Sequence, residues 1–210
     1  MIFYDCLTAP SPRRARIFLH EKQAPHEVVH IDLVKAEQLS DDFKKINPAC
    51  TVPVLKLDDG TLLTENAGIA AYLESAFPNP PLLGTSDTEK GIIASWNSKI
   101  ESGCLMAVAE ALRNSTPVMK DRALPGPTNY AQIPELAERG LARLQAFFNA
   151  LNAHLEGREF IATDNFSIAD ISAVVAVDFA RIVKVKPQEG QHDNLIRWRT
   201  DLSERPSLNV

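Results

Sequence analysis

Two short segments in the first third of the chain have residues that suit the backbone of a peptide-like ligand. In the first, Thr51-Val52-Pro53, a proline opens a predicted strand and has no amide to donate to a sheet. If the Val52–Pro53 bond is cis, Val52 offers both its amide and its carbonyl outward, and a bound peptide can pair with it as a β-strand does. The alternative is an ordinary trans proline at a sheet edge, which is the commoner state of an isolated Val-Pro pair.

The second segment is Thr64-Glu65-Asn66, which lies between a predicted hairpin and a predicted helix. Asn66 at the N-cap can donate its side-chain amide, and the first free amides of the helix lie beside it, so this turn suits a carboxylate. Glu65 supplies the opposite charge and can hold an ammonium group. Together they suit the zwitterionic end of an amino acid; the alternative is a plain helix cap without a ligand.

The elements that position these segments alternate between strand and helix. Hydrophobic periodicity and turn residues predict, in chain order, strand 1–6, helix 11–22, strand 27–31, a polar and partly helical stretch 35–46, strand 52–57, strand 61–63 and helix 66–76. The turn Asp58-Asp59-Gly60 joins the last two strands as a hairpin. This order, βαβ followed by ββα, predicts a mixed sheet with helices packed on it.

Prolines at the segment Phe77–Pro81 interrupt this pattern, because proline cannot continue a helix and stiffens a connection. We therefore predict one domain at 1–78, a linker at 79–86 and a second domain at 87–210. Apolar residues recur at spacings of three and four along two stretches of the second domain, which predicts two long amphipathic helices around Ile93, Trp96, Ile100, Cys104, Ala107 and Ala111, and around Ile133, Leu136, Gly140, Leu144, Phe147, Leu151 and Leu155. The predicted fold class is an α/β domain followed by an all-helical bundle.

A further helix start is predicted at Phe166–Ile171. Ser167 and Asp170 can form a reciprocal capping box, and Phe166 can pack on Ile171 as a hydrophobic staple. The residues that follow, up to Val183, are apolar nearly all round, which is typical of a helix at the centre of a bundle.

Composition narrows the choice of function. The chain has 210 residues with a net charge of −5, and its one basic cluster, Arg13-Arg14-Ala15-Arg16, is too short to follow a phosphate backbone, so nucleic acid is not an expected partner. Its three cysteines form no CxxC pair, which indicates neither a disulfide framework nor a zinc site and favours a reducing cytoplasm. We expect a soluble protein without a signal peptide or a membrane span.

The order of these features resembles that of cytosolic glutathione S-transferases, in particular bacterial members of the theta-like or beta-like classes. The resemblance rests on Asn47-Pro48 before Thr51-Val52-Pro53, the Asp59-Gly60 hairpin, Glu65-Asn66 at a helix start, the proline linker and the capping motif 166–171. It covers essentially the whole chain. It implies a thioredoxin-like domain that binds glutathione, followed by the all-helical domain of that family.

The resemblance also implies which residues bind glutathione. Val52, before Pro53, resembles the residue that binds the cysteinyl backbone. Glu65 and Asn66 resemble the Glu-Ser pair that binds the γ-glutamyl end, with Asn here in place of Ser. Gln38 resembles the side chain that reaches the glycyl carboxylate in theta-like members, although it also suits a solvated loop amide. Glutathione is thus the expected co-substrate, and no metal is expected.

In the family a Tyr, Ser or Cys after the first strand addresses the sulfur of glutathione, and three residues compete for that role here. Ser11 falls where the beta-like class has its Cys, and it precedes Pro12 at a helix start, where its hydroxyl and the helix dipole favour an anion. Thr8 is the hydroxyl nearest to Ala9, where the serine of other classes falls. Cys6 ends a strand with no cation nearby in sequence, as a buried small hydrophobe does. We favour Ser11 and keep Thr8 and Cys6 as alternatives.

The resemblance implies a transferase that activates the thiol of glutathione for attack on a small hydrophobic electrophile, as in detoxification. Met106, Ala109, Leu112 and Arg113 are candidates for the electrophile pocket. A homodimer is also implied, in which Glu101 approaches the glutathione amine of the other subunit. Two alternatives stay open: glutathione-dependent reduction of peroxides or disulfides, and a non-enzymatic, regulatory glutathione-binding protein of the same fold.

Overall fold

The computed structural model describes all 210 residues. Its sheet has four strands, β1 (Ile2–Asp5), β2 (Glu27–His30), β3 (Val54–Lys56) and β4 (Leu62–Leu63), in the order β2-β1-β3-β4. β1 and β2 are parallel, whereas β3 is antiparallel to both β1 and β4. The predicted mixed sheet is confirmed, with each strand slightly shorter than the sequence pattern indicates.

Three α-helices and one 3-10 turn accompany the sheet: α1 (Pro10–Glu21), the 3-10 turn Glu37–Leu39, α2 (Asp41–Ile46) and α3 (Asn66–Ala76). α1 begins one residue earlier than predicted. Ala9 is the N-cap, with the extended backbone that a residue before proline prefers. Pro10 then takes the first helical position, where its missing N–H costs no hydrogen bond.

Apolar side chains from the strands and from α1 and α3 form the core of this part of the protein. Phe3 and Leu55 from the sheet, Ile17 and Phe18 from α1, and Leu73 from α3 are almost completely buried. Each side chain of this kind stabilises the fold by about 1.5–3 kcal/mol when it leaves water. This packing holds the strand ends, and the loops attached to them, in fixed positions.

A buried ion pair joins α1 to the end of β1. Both carboxylate oxygens of Asp5 accept hydrogen bonds from Nη1 of Arg16, at 2.7 and 2.6 Å, and the Asp5 side chain is only 1% exposed. Removing either partner would leave an unpaired buried charge, which costs about 3–5 kcal/mol. The pair therefore fixes α1 relative to the loop 6–9 that connects it to β1.

The remaining α-helices confirm the predicted all-helical part: α4 (Asp87–Ile100), α5 (Met106–Ser115), α6 (Pro134–His154), α7 (Ile168–Phe179) and α8 (Asp193–Asp201). The first of the two predicted long helices is divided, because a π-helical turn at Glu101–Leu105 separates α4 from α5. α5 and α6 approach closely at Gly140, where a Cβ atom would lie 2.7 Å from the Ala107 carbonyl oxygen. No helix combines the length and the apolar character needed to cross a membrane.

α7 begins with the predicted capping box. The Ser167 amide donates to Oδ2 of Asp170 at 3.0 Å, and the Ser167 hydroxyl accepts from the Ala169 amide at 3.3 Å. The other oxygen of Asp170 accepts from the amide of Ile161 at 2.9 Å, a contact that the sequence did not indicate. Asp170 thus stabilises both the helix start and the loop before it. Burial raises the pKa of this carboxyl group to about 6.

The chain divides into two compact units. The first unit consists of Met1–Pro80, Leu124–Asn129 and Val210, and the second consists of Pro81–Ala123 and Tyr130–Asn209. Within the first unit, Gly126 has a φ of +112°, and a Cβ atom there would lie 3.5 Å from the Ala49 carbonyl oxygen. The connection between α5 and α6 therefore contributes a short segment to the first unit. The domain bounds proposed from sequence, 1–78, 79–86 and 87–210, do not include this contribution and remain a proposal.

We expect Asp170→Ala to lower the free energy of unfolding by about 1–2 kcal/mol or more, because it removes half of a buried capping box. The native pKa of about 6 lies above the ordinary value of 3.8, so the carboxyl group stabilises the fold most below the lower value and less as the pH rises through the higher one. The difference between wild type and variant should therefore shrink as the pH rises through this range. Denaturant unfolding at several pH values, monitored by circular dichroism, measures this difference in the free energy of unfolding.

Asp164→Ala is the matched control, because Asp164 is exposed in the same loop and should change the stability by less than about 0.5 kcal/mol. Loss of activity by Asp170→Ala with an unchanged stability would contradict the structural role and assign Asp170 to the chemistry.

Candidate functional site

The sheet topology brings three loops to one end of the first unit. β3 runs antiparallel to β1, with Tyr4 opposite Val54, so the residues after β1 lie beside those before β3. In the hairpin Leu55 is opposite Leu63, so the residues after β4 lie at the same end. The parallel strand β2 also ends there. We call this end, formed by residues 6–11, 47–53 and 64–66, the site end of the sheet.

Val52 has the backbone arrangement that suits a peptide ligand. The Val52–Pro53 peptide bond is cis, which the sequence had left open, and β3 starts at Val54. Neither the amide nor the carbonyl of Val52 makes a hydrogen bond to another backbone group. A free amide and a free carbonyl on one residue at a strand end can pair with the backbone of a bound peptide.

Glu65, and not Asn66, is the N-cap of α3, so the prediction of an Asn66 cap was wrong. Glu65 keeps an extended backbone, with φ −125° and ψ 142°, and its carbonyl accepts from the Ile69 amide at 2.9 Å. The chain leaves β4 in an extended conformation, and the helical conformation begins only at Asn66. No side chain caps this helix. The exposed Glu65 carboxylate and the first-turn amides of α3 are thus both available to a zwitterionic group.

Ser11 supplies the donors at the start of α1. Pro10 and Pro12 have no amide, so Ser11 is the only one of the first three helical residues with an N–H. Its hydroxyl belongs to the second helical residue and does not cap the helix, because the N-cap is Ala9. The side chain is half-buried. A hydroxyl and an amide from one residue therefore lie at the positive end of the helix dipole.

Cys6 and Thr8 contact each other in the loop before α1. Sγ of Cys6 lies 3.5 Å from Oγ1 of Thr8, and either atom can be the donor. Cys6 is only 6% exposed, whereas Thr8 is exposed. The thiol predicted as a small buried hydrophobe is thus buried, and it shares the Thr8 hydroxyl.

Gln38 lies in the 3-10 turn Glu37–Leu39 and is half-buried. Its Oε1 atom is buried and has no hydrogen-bond partner. An unsatisfied buried polar atom costs about 1–3 kcal/mol. Rotation of the amide exchanges its oxygen with its two-proton nitrogen, so this side chain can also donate to a ligand carboxylate.

These groups suit a short zwitterionic peptide that carries a thiol. Val52 can pair with its backbone, Glu65 and the start of α3 can hold its amino-acid end, and the donors of Ser11 can address an anionic sulfur. No group of three or more His, Cys, Asp or Glu side chains is arranged to hold a metal ion.

Comparison with known proteins agrees with this arrangement. The family models described as the glutathione S-transferase N-terminal domain and C-terminal domain match residues 8–76 and 113–206. Glutathione S-transferase 2 of Saccharomyces cerevisiae is 34% identical, over 99% of this chain and 88% of its own length. This chain belongs to the glutathione S-transferase family.

Two solved structures extend the likeness of this glutathione S-transferase to the whole fold. Gtt2 from Saccharomyces cerevisiae superposes with a TM-score of 0.90 at 33% identity, covering 100% of this chain and 99% of the yeast chain. A glutathione S-transferase domain-containing protein from Marinobacter aquaeolei superposes with a TM-score of 0.89 at 35% identity, covering 99% of this chain and all of the other. The thioredoxin-like domain and the helical domain expected from the sequence are thereby confirmed.

The residues predicted to line the electrophile pocket of this transferase lie on α5. Met106, Ala109 and Arg113 recur at spacings of three and four, on a helix face separate from the buried one. Met106 is 51% exposed, and Ala109, Leu112 and Arg113 are half-buried. Arg113 donates to the carbonyl of Arg122 at 2.8 Å, and burial lowers its pKa. Arg113 thus stabilises the loop after α5, a role that the sequence did not indicate.

Glu101, the residue predicted to face the other subunit, is the first residue of the π-helical turn between α4 and α5. It is half-buried. Its contact with the glutathione of a second subunit remains a proposal.

Two residues that position the site end are not indicated by the sequence pattern. Asp5 falls in a predicted strand, yet its pair with Arg16 fixes the loop that leads to Ser11. Asn47 was noted only as part of a motif, yet it is almost completely buried and makes several hydrogen bonds with the turn before Val52. For Asn47, the sequence offers only one sign of such a role: a polar residue directly before Pro48 and close to an apolar strand.

Proposed function

We propose that this glutathione transferase binds glutathione at the site end of the sheet and uses Ser11 to stabilise the thiolate. The transferase activity follows from membership of the family and from full-length likeness to a named transferase. Which residues perform the activity is our proposal. The main observation in support of the proposal is that the backbone amide and carbonyl of Val52 are free, at the same end of the sheet as the uncapped start of α3.

Glutathione fits the order of the groups along this end. Its cysteinyl backbone pairs with Val52 next to Pro53, and its γ-glutamyl ammonium and carboxylate bind Glu65 and the α3 amides beside Asn66. Its glycyl carboxylate accepts from the amide of Gln38. The roles of Val52, Glu65 and Asn66 follow from their own chemistry and that of Gln38 from the resemblance to the family, and together they match a peptide with two carboxylates, one ammonium group and one thiol.

The chemical step needs only a moderate shift in the pKa of the thiol. A thiol of pKa ~8.5 is a few per cent ionised at neutral pH, and lowering the pKa by about two units corresponds to about 2.7 kcal/mol. One charge-assisted hydrogen bond contributes about 1.5–3 kcal/mol, so the hydroxyl of Ser11 with the helix dipole is sufficient. The thiolate then attacks a small hydrophobic electrophile, for which we propose Met106, Ala109, Leu112 and Arg113 as pocket residues.

Glutathione-dependent reduction of a peroxide or disulfide is the second candidate, because the site end also holds the thiol of Cys6. Its burial and its contact with Thr8 favour a packing role and therefore favour the transferase. The chain has three free cysteines, which supports a reducing, cytoplasmic location for either activity. A panel of electrophiles, peroxides and mixed disulfides assayed with glutathione distinguishes the two.

We expect Glu65→Ala to weaken glutathione binding by about 2–3 kcal/mol and to leave the fold intact, because an exposed N-cap side chain without a capping bond loses only its ligand contact. Titration calorimetry measures the affinity. Glu27→Ala is the control, since Glu27 is exposed at the opposite end of the sheet. Unchanged retention of Glu65→Ala on immobilised glutathione would rule out this part of the site.

We expect Ser11→Ala to raise the pKa of the bound thiol and to slow turnover about tenfold to a hundredfold, the scale of one charge-assisted hydrogen bond. The hydroxyl stabilises the thiolate more than the neutral thiol, so Ser11→Ala should lower kcat more than it lowers the affinity for glutathione. Ultraviolet titration of the thiolate in the complex measures the pKa.

Thr8→Val and Cys6→Ala are the controls for this assignment. If Ser11→Ala leaves the titration unchanged and Thr8→Val moves it, the role passes to Thr8. If only Cys6→Ala abolishes activity, the protein is a thiol-dependent reductase.

We expect a homodimer, with twice the 23.1 kDa mass of one chain, chiefly because the family resemblance implies one; α4 also exposes a face of small residues on which a second copy can pack closely. This face contains Gly91, Ala94, Ser95 and Ser98. Ala94→Arg should convert the dimer to monomers, since a large charged side chain prevents that approach. Light scattering at micromolar concentration measures the mass, and a monomeric wild type would contradict both the dimer and the proposed role of Glu101.

A further inference from the structure

The turn that delivers Val52 to the site end is organised by one buried side chain, that of Asn47. Asn47 is the C-cap of α2, and its amide donates to the Phe43 carbonyl at 2.8 Å. Its Oδ1 atom accepts from the amide of Ala49 at 3.1 Å, and its backbone carbonyl accepts from the amide of Cys50 at 2.9 Å. Asn47 is only 2% exposed, so these bonds are shielded from water.

The other end of the Asn47 amide binds the residue directly before Val52. Nδ2 donates to the carbonyl oxygen of Thr51 at 2.8 Å and is 3.0 Å from its hydroxyl oxygen. The Thr51 carbonyl and the Val52 amide belong to the same peptide unit, which is planar. In a trans peptide the C=O and N–H bonds point in opposite directions. Fixing the Thr51 carbonyl on Asn47 therefore turns the Val52 N–H away from Asn47.

We propose that Asn47 is a positioning residue for glutathione, which acts by holding the Thr51–Val52 peptide unit in the orientation that presents the Val52 amide to the ligand. The inference rests on the proposed binding of the cysteinyl backbone at Val52. Without the Nδ2 donor this peptide unit can rotate, and the Val52 amide no longer has a fixed direction. The Asn47 side chain is buried and bonded to Ala49 and Thr51, so we expect it to act through the Val52 peptide unit, on the binding of glutathione and not on the chemical step.

Asn47→Asp is the sharpest variant, because an aspartate keeps the acceptor for the Ala49 amide and lacks the protons that bind the Thr51 carbonyl. We expect it to raise the KM for glutathione about threefold to tenfold, the scale of one lost hydrogen bond, and to change kcat at saturating glutathione by less than about twofold. Asn47→Ala should raise KM at least as much and also lower the stability, since it removes both contacts.

Asn152→Ala is the matched control. Asn152 is a half-buried asparagine of the second unit whose Oδ1 accepts from the Leu195 amide at 3.0 Å, so its loss tests general destabilisation. It should lower the melting temperature and leave the KM for glutathione unchanged. An equal rise in KM for Asn152→Ala would overturn the positioning role. If Asn47→Asp does not fold, Asn47→Ala takes its place and hydrogen exchange gives a second readout: glutathione should protect the Val52 amide strongly in the wild type and less in the variant, and equal protection in both would overturn the role of Asn47.

The outcomes separate this inference from the proposed function. If wild type does not bind glutathione, or if Glu65→Ala leaves its affinity unchanged, the proposed site fails as a whole. If wild type binds and Glu65→Ala weakens binding, but Asn47→Asp keeps the KM of wild type, only the role of Asn47 is overturned. A Val52 amide that glutathione does not protect from exchange would overturn both the proposed pairing of glutathione with Val52 and the role of Asn47 that rests on it.

Discussion

The antiparallel pairing of β3 with β1 is the contact on which the candidate site depends, because it decides which loops are neighbours. With Tyr4 opposite Val54, the loop that leads to α1 lies beside the turn that leads to β3. The same hairpin that pairs Leu55 with Leu63 then returns the chain to this end before α3. A shift of the register by one residue would turn the strand side chains to the opposite face and separate the groups that we propose bind one ligand.

Buried polar side chains stabilise the loops that this pairing brings together. Asn47 fixes the turn before Val52, and the pair of Asp5 with Arg16 fixes α1 beside the end of β1. In the second unit, Asp170 stabilises the start of α7 and the preceding loop in the same way. Such groups are costly to bury unless their hydrogen bonds are satisfied, so each of them strongly favours one loop conformation over others. The binding groups can then belong to loops and still be held in place.

The fold could be predicted well from the sequence because its signals are local and periodic. The apolar residues of β1 and β3, the turn at Gly60 and the capping box at Ser167 each depend on residues close together in the sequence. The ends of elements were less accurate, as the start of α3 illustrates: Asn66 is a good cap by residue type, yet the extended backbone of Glu65 takes that position. The π-helical turn at Glu101–Leu105 has no signal in the hydrophobic pattern, which continues through it.

By itself, the sequence determined the order of strands and helices, the family and the residue types available for binding glutathione, since these follow from local periodicity and from motifs of fixed spacing. Only the tertiary structure decided how those residues are used. It left the Val52 backbone free, paired Cys6 with Thr8 and assigned Arg113 to a loop carbonyl. Even where the partners are near in sequence, as Cys6 and Thr8 are, such outcomes depend on competition for hydrogen bonds in a packed interior, which a local pattern does not record.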